Sequence, residues 1–374
     1  MPWIHFHVAE KGTVKACCIA NIPYGNVNTN SLEEIWNGKP VQALREKFLK
    51  GEKDNRCSGC YKLEEGGGTS IRQETFDKFP EIKPTDIKTE EKPIYFDIRF
   101  SNVCNFRCRT CWHGASSKWF KDAKALGINL GDSAIIQNIN DFNNFISKMG
   151  DSLLQAKEIY FAGGEPLVTE EHYLLLDWLL VNKVTNIKLR YNTNFSILEF
   201  KQYEILKYWQ KFKNVEILAS IDATEKLGEY IRKEFDWNIF LKNREKIEKL
   251  PNVTFKIAPT VSVFNIKHLP DLYKKALKLN IINSNDLYIN ILERPFYYNV
   301  KILPPEEKQI ITQKFEEFYV WLNEKSISGK IENLFKECIS FMNSEDLHAK
   351  YWKQYTKETE KLDGLSSRES LATL

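Results

Sequence analysis

Apolar and polar residues alternate with period two in six segments of the chain, and helix-like patterns lie between them. The alternating segments are Ile94–Phe100, Glu158–Ala162, Ile187–Asn192, Val215–Asp222, Val253–Val263 and Leu287–Leu292, which predicts six strands. Amphipathic stretches such as Glu170–Asn182, Phe200–Phe212 and Trp237–Leu250 separate them. Strands and helices in alternation argue for a parallel α/β architecture. One strand face reads Phe96, Ile98, Phe100, Ile159, Phe161, Leu189 and Tyr191. The other reads Tyr95, Asp97, Arg99, Glu158, Tyr160, Lys188, Arg190, Asn192, Asn194, Ser220 and Asp222. A sheet with helices on both sides is apolar on both faces. A polar face repeated strand after strand therefore implies a curved sheet, with helices outside and a polar cavity inside. Six strands are too few for an eightfold closed barrel. The expectation is a partial, six-stranded barrel, with an open sheet solvated on one face as the alternative.

The two ends of the chain have different textures. Ser31 and Glu34 form a capping-box pattern ahead of an apolar stripe of Ile35, Leu44 and Phe48. A Gly66-Gly67-Gly68 run and a linker-like stretch from Pro80 to Pro93 follow. At the other end, Pro304-Pro305 opens a helix expected over about 306–325, and the final polar residues are expected to be loosely ordered. Three regions result: a small module and linker over 1–90, the α/β region over 91–300, and a helical extension over 301–374.

Composition narrows the function classes. The 374 residues are 43% hydrophobic and 28% charged, with a net charge of +3, too small to imply a nucleic-acid partner. No run of about 18 apolar residues predicts a membrane span. The opening Met-Pro-Trp-Ile-His-Phe-His lacks the features of a signal peptide, so a cytoplasmic location is expected. Seven of the eight cysteines fall in three tight groups: Cys17-Cys18, Cys57-Cys60 and Cys104-Cys108-Cys111. Clustering of this kind in a cytoplasmic-looking protein favours metal binding over disulfides. Cys338 stands alone in a helical stretch and is expected to be a small buried hydrophobe.

The third group, in Ser101-Asn-Val-Cys104-Asn-Phe-Arg-Cys108-Arg-Thr-Cys111-Trp-His, lies just past the carboxyl end of the first strand. Sheets and barrels of this class carry their sites on that edge. Full ligation of an iron-sulfur cubane takes four thiolates, so three leave one iron open to a chelating ligand. A structural zinc site with His113 as fourth ligand is the alternative. This Cys-x3-Cys-x2-Cys loop resembles the radical S-adenosylmethionine (SAM) superfamily. Gly163-Gly164-Glu165-Pro166, after the second strand, looks like the family's GGEP motif. The resemblance implies that Cys104, Cys108 and Cys111 hold a [4Fe-4S] cluster whose open iron SAM chelates. It also implies reductive cleavage of SAM to a 5'-deoxyadenosyl radical, which takes hydrogen from substrate. Glycines at 163 and 164 let the backbone approach the ligand, and Glu165 can accept bonds from the SAM ammonium. In related enzymes a Ser and an Arg placed like Ser220 and Arg232 contact the SAM ribose and carboxylate, and Asp222 stands beside that Ser. Asn194 lies where the family often shows a Thr-Asn-Gly turn. A polar network within the barrel is the alternative role for Ser220, Asp222 and Arg232. The family's aromatic residue before the third cysteine is Thr110 here, with Trp112 just after; Trp112 or Phe106 is left to pack the adenine.

Residues 1 to about 72 resemble the auxiliary-cluster module called twitch, a shortened SPASM domain. The resemblance rests on Gly12-Thr-Val-Lys-Ala-Cys17-Cys18, Gly25-Asn26-Val27, Ser31-Leu-Glu-Glu-Ile-Trp36, Arg45 and Cys57-Ser-Gly-Cys60. In one subgroup, which this chain resembles, the module precedes the barrel. A second, auxiliary iron-sulfur cluster is thereby implied, with Cys17, Cys57 and Cys60 as three ligands. The fourth position is open among Cys18, His5, His7 and substrate, although adjacent cysteines on an extended strand point opposite ways. Zinc in place of the cluster, and ordinary strand roles for His5 and His7, are the alternatives. The fold class that follows is α/β: a partial (β/α)6 radical SAM barrel behind a small twitch/SPASM-like cluster-binding domain, with C-terminal helices. The implied substrate is a peptide or protein, with a polar small molecule such as a sugar or aminocyclitol as alternative. The implied electron donor is of low potential, such as flavodoxin or ferredoxin. A non-enzymatic iron-sulfur or zinc protein is the remaining rival. No catalytic acid or base is assigned.

Overall fold

The computed structural model describes residues 1–65, 68–82, 87–89, 91–327 and 329–365. Gly66 and Gly67 of the glycine run, part of the linker-like stretch, and the polar tail beyond residue 365 lie outside the described residues. The chain divides into two compact units. One comprises Met1–Val103, Ile135–Tyr191 and Lys201–Val215; the other comprises Cys104–Ala134, Asn192–Phe200 and Glu216–Leu374.

Among the described residues, eight strands form the main sheet. Those of the first unit are β1 (His5–Val8), β2 (Thr13–Lys15), β3 (Pro23–Asn26), β4 (Tyr95–Ile98), β5 (Glu158–Phe161) and β6 (Lys188–Thr193, whose last two residues belong to the second unit). Their order is β6-β5-β4-β1-β2-β3. Strands β4, β5 and β6 are parallel and in register, with Asp97 opposite Tyr160 and Tyr160 opposite Arg190. The same register aligns Phe96, Ile159 and Leu189 on the other face. The apolar face is covered by the helices Phe142–Leu153 and Glu170–Val181, which bury Phe145, Met149 and Leu153, and Tyr173, Leu176 and Leu179. Burying a large apolar side chain contributes about 1.5–3 kcal/mol, so this layer holds the sheet. The polar face is not a solvated one. Asp97 and Glu158 are buried, and Tyr160, Lys188 and Arg190 are half-buried. Glu158 there is paired with Lys78 at 2.8 Å.

The amino-terminal segment supplies a pairing that the sequence pattern left unread. Strand β1 runs parallel to β4, setting His5 opposite Tyr95 and His7 opposite Asp97. Strands β2 and β3 continue it as an antiparallel meander. The Ser31/Glu34 capping box is formed and starts the helix Leu32–Trp36.

Two short strands, β7 (Glu199–Phe200) and β8 (Tyr203–Glu204), precede the last two strands of the main sheet, β9 (Asn214–Ala219) and β10 (Val253–Ile257), which are neighbours. In the second unit Ser220 N–H donates to Thr193 O (2.8 Å) and Ala258 N–H to Ala219 O (2.7 Å), so the carboxyl ends lie side by side. The expected strand over Val253–Val263 is broken: β10 stops at Ile257 and β11 resumes at Thr260–Val261. Pro259 between them has no N–H for a ladder. The expected strand at Leu287–Leu292 is reduced to a bridge at Leu287 and to β12 (Asn290–Ile291), paired with β11. The helix read over about 306–325 is present as Pro305–Glu324, followed by Gly329–Asn343 and His348–Gly364. Cys338 is fully buried within the second of these.

Candidate functional site

The three-cysteine loop opens the second unit, and its backbone is hooked onto the segment carrying Arg232. Arg109 N–H donates to Ile231 O (2.8 Å) and Arg107 N–H to Lys233 O (3.4 Å). These two bonds set Cys108 against Arg232, whose Nη1 lies 3.8 Å from Cys108 Sγ. The Arg109 side chain is buried. Its Nε donates to Tyr230 O (2.9 Å), its guanidinium lies 3.6 Å over the Tyr230 ring, and it pairs with Asp363 on the last helix. Arg107 pairs with Asp122 at 2.7 Å. Within the loop, Cys104 Sγ accepts from Phe106 N–H (3.4 Å) and Cys111 N–H donates to Cys108 O (3.0 Å). Asn105, between the first two cysteines, accepts from Asn194 Nδ2 at 2.8 Å and donates to Ser196 Oγ at 2.9 Å.

Arg232 and Asp222 form a two-pronged ion pair, Nη2–Oδ1 at 3.0 Å and Nε–Oδ2 at 2.8 Å. Burial by itself would lower the Arg232 pKa, but the Asp222 carboxylate outweighs it and holds the guanidinium firmly charged. Asp222 also accepts from Thr260 N–H (2.7 Å). Ser220 is buried at the carboxyl end of β9. Burial pushes the Cys108 thiol up to about 12, against the opposing charge of Arg232. A thiol in such a place is protonated unless a metal claims the sulfur. Three soft sulfur donors on one loop, with N–H and guanidinium donors aimed at the sulfurs, suit a cluster. Thr110 is half-buried. Trp112 is 54% exposed and lies against His113, whereas Phe106 is buried against Phe235. Of the two aromatic side chains, Trp112 is the accessible one.

In the first unit, Gly163 and Gly164 adopt φ of +77° and +54°. A Cβ on Gly164 would stand 2.3 Å from Val103 O. The turn is held there because Glu165 N–H donates to Val103 O (2.7 Å), one residue before Cys104. Glu165 is buried, with Oε1 accepting from Leu167 N–H (3.1 Å) at the start of a short helical turn.

A separate cavity in the first unit is lined by Cys17, Cys57 and Cys60, with apolar walls that include Ala20, Leu44, Phe48 and Ile71 and with Arg56 and Arg72 at its edge. Burial, then the neighbouring Cys17, push the Cys57 thiol up to about 11. Three cysteines lining one apolar pocket are a donor set that fits a metal cluster, and the arginines offset its negative charge. Cys18 is exposed and does not line this cavity. It lies in the bend that follows β2, within electrostatic range of Asp97 and Arg99. His5 and His7 do not line the cavity either; β1 sets them beside Asp97. Sequence reasoning missed the roles of Asn105, Arg107 and Arg109. Their only signal is polar residues interleaved with ligating cysteines.

A family model described as SPASM, an iron-sulfur cluster-binding domain, matches residues 1–61. A search of curated proteins finds no match. Among solved structures, the chain is similar to Streptococcus suis SuiB bound to S-adenosylmethionine, at 14% identity over 63% of this chain and 46% of that chain, with TM-score 0.40. It is similar to SuiB bound to precursor peptide SuiA at 13% identity over 77% of this chain and 60% of that one, with TM-score 0.44. It is also similar to TYW1 with a lysine-pyruvate adduct bound, at 12% identity over 62% and 71%, with TM-score 0.34. The chain thus spans 46% to 60% of the two SuiB chains.

Proposed function

We propose that this chain is a radical SAM enzyme with an amino-terminal auxiliary cluster, acting on a peptide or protein. One observation carries the reading: three cysteines on a loop whose middle sulfur faces Arg232, with the Gly163-Gly164-Glu165 turn bonded to the residue just before the loop. Two three-cysteine sites in one chain, one of them within the SPASM match, fit this division of labour. The module boundaries proposed are 1–90, 91–300 and 301–374.

When bound at Cys104, Cys108 and Cys111, a [4Fe-4S] cluster supplies the electron that cleaves SAM reductively and starts hydrogen abstraction. The chain's own residues hold the parts. Arg232 supports the Cys108 sulfur by a charge-assisted contact, and Asp222 fixes the guanidinium. Asn105 and Asn194 brace the loop between its first two cysteines. The lack of side chains at Gly163 and Gly164 lets the turn pack directly against Arg99 and Val103. Cys17, Cys57 and Cys60 would hold the auxiliary cluster. A polar small-molecule substrate is the second reading, favoured by the buried and half-buried polar face of Asp97, Arg99, Glu158 and Arg190.

The test is anaerobic reconstitution followed by dithionite reduction with SAM. The expected result is two iron-sulfur clusters and formation of 5'-deoxyadenosine, abolished in Cys108→Ala. Bound zinc instead of iron, or unchanged SAM cleavage by the variant, sinks the reading.

A further inference from the structure

A second kind of metal donor set sits on the polar face of β1 and β4. Residues two apart on a strand share a face, so His5 and His7 point the same way. The parallel register then places Asp97 directly opposite His7. All three are buried, with exposures of 1%, 2% and 1% for His5, His7 and Asp97. The Tyr95 ring stacks on His5, centroids 4.4 Å apart and planes 14° from parallel, which fixes the imidazole plane. His7 Nδ1 lies 2.7 Å from Asp97 Oδ2. One ligand atom from each of the three residues lies within 4.8 Å of the other two.

His5 is the anomaly. Both of its ring nitrogens are buried without a hydrogen-bond partner. A neutral imidazole carries one donor and one acceptor, and leaving such a group buried and unsatisfied is unfavourable. A plain His–Asp–Arg polar network explains His7, Asp97 and Arg99, but it leaves His5 with nothing to do. A cation between the three side chains satisfies it. Arg99 does not compete for the same oxygen: its Nε stands 3.6 Å from Asp97 Oδ1, while Oδ2 faces His7. An outer cation on the non-ligating oxygen orients the carboxylate.

We propose that His5, His7 and Asp97 bind one divalent transition-metal ion of the zinc or ferrous class, separate from both cysteine sites. Two imidazoles and a carboxylate suit such an ion and leave it at least one open position for water or substrate. The open position would bear on the same polar face as Arg99 and Tyr160. The assignment stands whether or not the chain cleaves SAM.

The test uses the whole 374-residue chain reconstituted anaerobically, so that the cysteine sites hold iron and sulfide. It is then loaded with ZnCl2, desalted, and assayed for zinc and iron. The expected result is one zinc per chain beyond the iron complement. In His5→Gln and Asp97→Asn, zinc affinity falls by more than the roughly 10–100-fold that loss of an outer partner alone costs, with iron content unchanged. Co2+ in place of zinc on the unmutated protein gives ligand-field bands without a sulfur-to-cobalt charge-transfer band, a readout that needs no variant to fold. No retained zinc, equal binding by both variants, or cobalt spectra dominated by sulfur overturns the proposal.

Discussion

Alanine at Gly164 separates backbone strain from steric collision at the turn packed against Val103. Gly164 has φ +54°, and an added Cβ would lie 2.3 Å from Val103 O and 2.9 Å from Asn102 C. Gly127 is the control. It follows the helix Trp119–Ala125 with φ +75°, its added Cβ meets nothing within 4 Å, and Ile128 N–H donates to Ala123 O (3.0 Å) in a helix-ending pattern. Left-handed backbone costs a non-glycine residue roughly 1–2 kcal/mol, so Gly127→Ala should lose about that much. Gly164→Ala pays the same strain and cannot keep its contact. The obstructing atom is a backbone oxygen, and it accepts the 2.7 Å bond from Glu165 N–H. Relief requires pulling the turn off Val103. That adds the loss of a buried hydrogen bond, with the unsatisfied group costing about 1–3 kcal/mol. The expected total is about 2–5 kcal/mol. Urea denaturation under anaerobic conditions, with both variants beside the unmutated protein, reads the difference. Under the proposed function, SAM-dependent 5'-deoxyadenosine formation should fall in Gly164→Ala and hold in Gly127→Ala. Equal destabilisation by the two variants would refute the claim that the turn is packed against the chain just before Cys104.

Two further outcomes are expected. Arg232→Met leaves the buried Asp222 carboxylate without its ion-pair partner and should destabilise by roughly 3–5 kcal/mol, with the double variant Arg232→Met/Asp222→Asn recovering part of the loss in urea denaturation. His172 is held neutral by burial, its pKa lowered to about 3, with Nε2 3.0 Å from the Tyr191 hydroxyl. Below pH about 6.5 the unfolded chain takes up a proton at this imidazole while the folded chain does not, so its contribution to stability falls as pH drops from there toward 3. His172→Gln should flatten that decline by up to about 1.4 kcal/mol per pH unit, measured as unfolding free energy between pH 4 and 7; an unchanged slope would mean that His172 is not held neutral.

The chain's local patterns determined a great deal. Alternation in Tyr95–Ile98, Glu158–Phe161 and Lys188–Thr193 specified which face of each strand is polar, because successive side chains on a strand point to opposite sides whatever lies beside them. Cysteine spacing likewise specified one candidate donor set, since Cys104, Cys108 and Cys111 share a single loop of eight residues. Only tertiary structure decided the pairings between distant segments. The register that sets His7 against Asp97 spans some ninety residues of chain, and nothing local in His5-Phe-His7 selects β4 as its neighbour. The contacts of Cys108 with Arg232, of Asn105 with Asn194, and of Arg109 with Asp363 are of the same kind. So is the separation of Cys18 from Cys17, whose cavity is closed by Cys57 and Cys60 from another element. Periodicity is a property of one backbone segment, whereas register and convergence depend on which segments bury their apolar faces together.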